Sequence, residues 1–389
     1  MRILLVASRI PYPLHNGEDL RIFHFVKQLS SRHEIHLVAY GRCESLSPEI
    51  RRYFKEVHLL SEIAGVNEPQ RNYRRLINAF LPSRMYGFDA RMDQFVKDVI
   101  YKQNFDVVWI PAWQMMPYSY RLPSVRVLLD IMDDGVLELL REARLSNSLP
   151  QFLLSLKRLL VTYLFERKYF SQVKWCSVVT EADAVFLRRI CSRANVVTIP
   201  NGVDCEYFTP LGSPEVYPSL IFEGNMSFGP SVDAICYFHA AILPKIKKQI
   251  PEIKLWIVGK DPAREIQNLE AADVTVTGFV EDVRPYLDRA SVFICPMRKG
   301  AGIKNKILQA WAMGKPVVST SIALAGLSAN PEENIIVADR PDQFAAQVVR
   351  LLKDESLRKA VGECAKRTVR DRYSWRQQAA LLEATLQVS

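Results

Sequence analysis

The stretch from residue 292 to residue 320 restricts the fold more than any other part of the chain. Val292-Phe-Ile-Cys-Pro296 is a short, apolar, β-rich run that reads as a buried strand. A loop containing Gly300 and Gly302 follows, then a helix that stops at Met313-Gly314-Lys-Pro316, where glycine ends the helix and proline cannot continue it. Val317 begins another strand, so the loop opens at the carboxyl end of one strand and feeds a helix. The two glycines let the backbone approach a ligand closely, and the helix points its free N–H groups and positive dipole end at the same place. An anion belongs there. Lys304 and Lys306 fall in the first turn, where they oppose the dipole and cost stability unless a negative group is bound. The alternative is a glycine-rich turn with two solvated lysines.

The same strand, loop and helix order recurs. Arg2–Ala7 and Glu34–Tyr40 read as strands around a helical pattern at Leu20, Phe23, Phe25, Val26 and Leu29, a βαβ unit whose first loop holds two prolines and Asn16-Gly17. That loop either binds a ligand at the strand ends or merely shapes a connection. Further strands are expected at 57–60, 105–110, 125–131, 177–180 and 196–199. In the second half they are expected at 219–223, 254–259, 274–280 and 334–338, with helices at about 341–353 and 355–371. The fold class is therefore α/β with parallel, doubly wound sheets. A chain of 389 residues, 49% of them hydrophobic, supplies two ordinary cores. Pro200-Asn-Gly202 makes a tight reversal and puts the boundary near residue 200.

Residues 1–7 read as a first strand and not a signal peptide, because Ser8-Arg9 cut the apolar run early, and no run approaches the ~20 residues that span a bilayer. The seven cysteines are scattered and odd in number, with no Cys/His cluster, so they read as reduced, mostly buried residues of a cytosolic protein with neither disulfides nor zinc. The net charge of +9 is uneven: residues 1–199 hold 28 Lys and Arg against 20 Asp and Glu, residues 200–389 hold 23 against 22. Such a surplus favours an anionic partner, and with no nucleic-acid motif present a membrane surface or anionic acceptor is expected. Two stretches could meet a membrane. Residues 71–88 mix Arg71, Arg74, Arg75 and Arg84 with apolar groups, while residues 152–168 have a wider apolar face that is expected to pack inside the fold. The strand at 125–131 runs into Asp133 and Asp134, either of which could orient or deprotonate an acceptor hydroxyl or cap the next helix. No Asp-x-Asp occurs, so no metal requirement is expected.

Residues 300–320 resemble the donor-site segment of the retaining GT-B glycosyltransferases of family four, also called glycosyl transferases group 1. Their usual form is Glu-Gly-x-Gly…Leu-Glu-Ala-x-Ala-x-Gly-x-Pro-Val-Val. Pro200-Asn-Gly-Val-Asp204, with Phe208-Thr-Pro210, resembles the segment that opens their second domain. The resemblance covers most of the chain and comes nearest to bacterial exopolysaccharide-associated sugar transferases. It implies two Rossmann-like domains facing across a cleft: an acceptor domain at 1–199, to which a last helix at about 373–389 returns, and a donor domain at 200–372. It implies transfer of a sugar from a nucleotide sugar to a glycan or lipid-linked acceptor, with retention and no cofactor beyond the co-substrate. The expected location is cytoplasmic, at the inner face of the cell membrane where the acceptor is a lipid.

By the same resemblance Lys306, with Lys304, holds the donor diphosphate and Gln309 stands where the family has its ribose-binding Glu. Gly300, Ala301, Gly302 and Ile303 line the donor, with Ala301 in place of the family's first Glu. Gly224 and Asn225 form a glycine loop lacking the usual cations, and Gly278, Phe279 and Val280 lie at the base. Asn16, Gly17 and Trp113 are expected on the acceptor side. The family's usual His is missing at Asp133-Asp134. A non-hydrolysing sugar-nucleotide epimerase of the same fold and a degenerate nucleotide-sugar binding protein are the alternative readings.

Overall fold

The computed structural model describes residues 1–14, 17–61, 88–119, 122, 125–132, 135–144, 149–170, 173–190, 194–300 and 302–388. The chain divides into two units, Met1–Pro200 with Gln378–Ser389, and Asn201–Gln377.

The first unit holds β1 (Arg2–Ala7), β2 (Glu34–Tyr40), β3 (Glu56–Leu60), β4 (Val107–Ile110), β5 (Arg126–Ile131), β6 (Trp175–Val178) and β7 (Asn195–Thr198). They form one sheet in the order β3-β2-β1-β4-β5-β6-β7, with every neighbouring pair parallel. The second unit holds β8 (Ser219–Glu223), β9 (Lys254–Val258), β10 (Val274–Val276), β11 (Val292–Cys295), β12 (Val317–Ser319) and β13 (Ile336–Val337). Its order is β10-β9-β8-β11-β12-β13, again all parallel. Both units are thus Rossmann-like, as expected. The central strands read as continuous apolar runs because helices cover both faces of the sheet, and every residue of β4, β8 and β11 is buried. In each sheet the order reverses once, between β1 and β4 and between β8 and β11. At such a reversal the connections leave to opposite faces and open a crevice at the carboxyl ends.

Several expectations need correction. The run at 274–280 is a strand only over Val274–Val276, because β10 is the sheet edge and Gly278 turns the chain at φ +66°. The run at 177–180 begins earlier and ends at Val178. Of the described cysteines only Cys176 and Cys295 are buried, and Cys43 is exposed. The largest correction is the helix Leu149–Phe170, which does not pack all its apolar residues inside. Phe165, Tyr169 and Phe170 are in the core, whereas Leu149, Leu153, Leu156, Leu160 and Leu164 form an exposed stripe, with Phe152 and Leu154 beside it. Residues 71–87 lie outside the described residues.

One buried ion pair ties the first unit together where its strands end. Arg21, from the helix Gly17–Leu29, donates from Nε at 3.0 Å and from Nη2 at 2.7 Å to the two oxygens of Asp130 near the end of β5. Both side chains are about 1% exposed or less. Ser177 of β6 donates to Asp130 at 2.8 Å, Arg21 also donates to the Pro200 carbonyl at 3.2 Å, and the guanidinium lies 4.6 Å from the centre of the Phe25 ring. Removing one partner of such a pair leaves an uncompensated buried charge, which costs about 3–5 kcal/mol, whereas replacing both by apolar groups is far milder. We expect Asp130→Ala to lower stability by about that much, and Arg21→Met/Asp130→Leu to recover most of the loss. Urea unfolding of the three proteins checks this, and an Asp130→Ala variant as stable as wild type refutes it.

Candidate active site

The reversal between β8 and β11 opens a cavity of about 330 Å³, within the range of small-ligand pockets. Its wall comes from the ends of two strands and the loops and helix starts that follow them. From β8 onward come Glu223, Gly224, Phe228 and Ser231; after β11 come Met297, Gly300, Ile303, Lys304, Asn305, Lys306 and Gln309. The helix Asn305–Ala312 starts at this wall, and Lys306 and Gln309, three residues apart, share its cavity-facing side. Gly314, at φ +68°, terminates the helix, since the left-handed region is open to glycine without strain.

The cations around this cavity are not equivalent. Arg298 forms a two-pronged pair with Asp233 at 2.7 and 3.0 Å, and Lys299 lies 3.5 Å from the same carboxylate, which clamps the glycine loop to the helix Gly229–Tyr237. Lys304 occupies the position just before the helix without capping it through its side chain, and folds back so that its amine donates to the Gly302 carbonyl at 3.0 Å. Lys306 remains. Its amine is buried, lies 4.1 Å from the centre of the Phe222 ring, and has no hydrogen-bond partner among the described residues. Burial pushes this lysine below its ordinary pKa, partly opposed by the Glu223 carboxylate. The glycines make room for the amine: a Cβ on Gly224, at φ +144°, would come within 2.8 Å of Nζ, and a Cβ on Gly259 would fall 1.7 Å from the Gly224 carbonyl oxygen.

Glu223 was not singled out from the sequence. It ends β8, is 9% exposed, leaves Oε1 without a partner, and has its carboxyl raised by burial, with Lys306 pulling the other way. The available signal was a carboxylate at the end of an otherwise apolar strand. Asn305 was also missed: its Oδ1 accepts from Asn201 Nδ2 at 3.4 Å, so the Pro-Asn-Gly connector steadies the start of this helix. Gly202 in that connector is packed against Trp375, whose indole a Cβ would meet at 2.7 Å.

Other candidates are placed apart from the cavity. Asn225 uses its side-chain oxygen on Ser227, accepting from N at 2.9 Å and Oγ at 2.8 Å. Gly278, Phe279 and Val280 follow the edge strand, Phe279 is 75% exposed, and none of them lines the cavity. Ala301, Asn16, Asp133 and Asp134 lie outside the described residues, as does the Trp113 side chain. Gly17 opens the helix Gly17–Leu29. Beside it the first unit carries polar groups the sequence did not flag. Arg9 pairs with Asp19 through two 3.0 Å bonds, and Glu18, half-buried, has its carboxyl raised by burial and by Asp19.

Residues 217–354 match the family model described as Glycosyl transferases group 1. Among curated proteins, the chain is 27% identical over 188 residues to the lipopolysaccharide core biosynthesis glycosyltransferase LpsE of Rhizobium meliloti, covering 46% of this chain and 51% of that protein. It is 28% identical over 194 residues to the phosphatidyl-myo-inositol mannosyltransferase of Mycolicibacterium smegmatis, covering 47% and 49%. The chain thus spans about half the length of the curated relatives it matches. Among solved structures, sucrose-phosphate synthase from Thermosynechococcus elongatus superposes with a TM-score of 0.75 at 15% identity, over 100% of this chain and 98% of that one. HepE of Anabaena in complex with UDP superposes at 0.69 and 14% identity, over 100% of both chains. The fold is GT-B. The part of this GT-B chain that matches the group 1 model contains every residue lining the cavity at β8 and β11.

The buried acid in this cavity makes stability pH-dependent. Because Glu223 is raised above its unfolded value, its contribution is fully present below the ordinary carboxylate pKa and is lost as pH rises through the raised one. Wild type should therefore lose stability relative to Glu223→Gln as pH moves from acidic to mildly alkaline, measured as urea midpoints of the two proteins. A difference that does not move with pH would show Glu223 to be solvated.

Proposed function

We propose that the protein is a glycosyltransferase that moves a sugar from a nucleoside-diphosphate sugar to a glycan or lipid-linked acceptor in cell-surface glycan synthesis, with retention and without a catalytic metal. The observation that carries this reading is the Lys306 amine. It is buried, lacks a hydrogen-bond partner among the described residues, and stands at a helix start in a cavity at a strand-order reversal. A buried ammonium without a partner is costly, and a diphosphate oxygen supplies the missing acceptor together with a compensating charge. During transfer the bond from the sugar to the diphosphate breaks and negative charge grows on the leaving oxygen. A fixed amine and the free N–H groups of the helix stabilise that charge without reorganising. Gln309, one turn further on the same side, can accept from and donate to a ribose diol. The match of residues 217–354 to group 1 glycosyltransferases supports the reaction class.

Lys306→Ala is expected to lower transfer on the order of 10²-fold, the scale on which one transition-state charge stabiliser acts. Lys304→Ala costs little, because that amine is already bonded to Gly302. Gln309→Leu weakens nucleotide binding by about 1–3 kcal/mol while Gln309→Glu preserves it. Turnover of a labelled nucleotide sugar and calorimetry with the nucleoside diphosphate are the measurements, and a Lys306→Ala enzyme as fast as wild type would end the assignment.

Where the acceptor is lipid-linked, this reading has the protein reach it at a membrane surface. The leucine stripe on the helix Leu149–Phe170 supports this, since Lys157, Arg158, Arg167 and Lys168 are exposed on the same helix. An apolar stripe with flanking cations is the pattern of a helix lying in an anionic interface. No helix among the described residues is long and apolar enough to cross a membrane. Flotation with anionic vesicles should be salt-sensitive, weakened by Leu153→Ser/Leu160→Ser, and weakened by about 1 kcal/mol for each of the four cations changed to Gln. Binding that ignores both sets of changes would place the contact elsewhere.

A further inference from the structure

Three side chains at one edge of the first sheet have no part in the reading above. His36 lies on β2, and Glu56 and His58 on β3, in a parallel register that sets His36 beside Glu56 and Val38 beside His58. Alternate residues of a strand share a face, so all three project from the same side of the sheet. One ligand atom from each lies within 4.8 Å of the others. Glu56 Oε2 is 3.7 Å from His36 Nδ1 and 3.4 Å from His58 Nε2. Those separations are long for hydrogen bonds. They are close to the edge of a tetrahedron, since ligands bound at about 2.0–2.1 Å stand about 3.4 Å apart.

The surroundings hold the three groups ready. His36 is 1% exposed, and neither of its ring nitrogens, nor Nε2 of His58, has a hydrogen-bond partner among the described residues. The two imidazoles lie almost parallel, at 9°, and the Phe105 ring meets His36 edge-on at 5.1 Å, which fixes its plane. Glu56 is oriented by Gln103, whose amide donates to Oε2 at 2.6 Å while its own oxygen accepts from Arg2 at 3.0 Å. Such outer hydrogen bonds commonly aim a ligating carboxylate. A neutral imidazole is a common metal ligand through its ring nitrogen lone pair. The nearby Arg2 charge is offset by Glu34 at 3.5 Å.

We propose that His36, Glu56 and His58 bind a first-row divalent cation, zinc by preference, which clips the edge strand β3 to β2. His36 Nδ1, His58 Nε2 and a Glu56 oxygen are the ligands, and water takes the fourth position on the exposed Glu56 side. Two imidazoles and one carboxylate suit zinc and its transition-metal neighbours better than calcium or magnesium, which prefer oxygen alone. The cluster sits toward the amino ends of β2 and β3, away from the carboxyl-end crevice of that sheet, so its role is structural. Sequence spacing gave no sign of it, because the two histidines belong to strands joined by a long excursion.

The test uses the full chain without a histidine tag, stripped by chelator and titrated with Zn²⁺ and, for its visible absorption, Co²⁺. We expect one equivalent to bind, a cobalt spectrum of tetrahedral type, and a higher unfolding temperature with metal. His58→Ala and Glu56→Gln should each weaken binding at least tenfold, and Gln103→Ala by about 10–100-fold. The partly exposed positions are chosen because His36→Ala would also open the core; apo unfolding temperatures near wild type show that the variants fold. Absence of saturable binding to wild type, or equal binding by the His58→Ala/Glu56→Gln double variant, overturns the proposal.

Discussion

An amine held out of water, with no hydrogen-bond partner among the described residues, is the constraint around which the second unit is arranged. To hold Lys306 there, β8 supplies a ring beneath it and a carboxylate beside it, and Gly224 and Gly259 give up side chains so that two backbones can close in. The neighbouring cations are all engaged: Arg298 and Lys299 with Asp233, Lys304 with a carbonyl. A site built this way leaves one buried amine without a hydrogen-bond partner among the described residues. Structural ion pairs in this protein look different, as Arg21 and Asp130 do, with each charge met from several sides by hydrogen-bond partners already in place.

Much of this was legible in the sequence, for identifiable reasons. The parallel sheets were readable because strands covered on both faces must be apolar throughout, as Val292–Cys295 and Val107–Ile110 are. The glycine loop and helix start were readable because glycine, the dipole and the lysines act locally. What depended on tertiary placement was not. Glu223 is one carboxylate among many until β8 and β11 lie side by side. The edge position of β10, which leaves Val276 as its last strand residue, cannot be read from the apolar run that continues to Val280.

The helix Leu149–Phe170 shows the limit of periodicity most plainly. Its apolar residues, aromatic and valine as well as leucine, occur all around the axis, and a helix that is apolar all round reads as buried. Only Phe165 and its neighbours face the core, while the opposite stripe faces out. Composition reports how much apolar surface a helix owns and not how much of it the fold uses. The basic surplus of residues 1–199 and this unused surface occur in the same unit, which gives the two units of the chain different surface chemistry.

The path of the chain has a consequence for how the protein is made. The first unit is interrupted at Pro200 and completed only by Gln378–Ser389. In that last segment Glu383 accepts from His33 at 2.8 Å and pairs with Arg32, and the Gln387 carbonyl accepts from Arg126. Domains usually fold as they leave the ribosome, the amino-terminal one first. Here the second unit, contiguous in sequence, can finish before the first, whose sheet emerges early and waits for a segment made only after the second unit. Until residues 378–389 arrive, the surface that they cover in the first unit stays open.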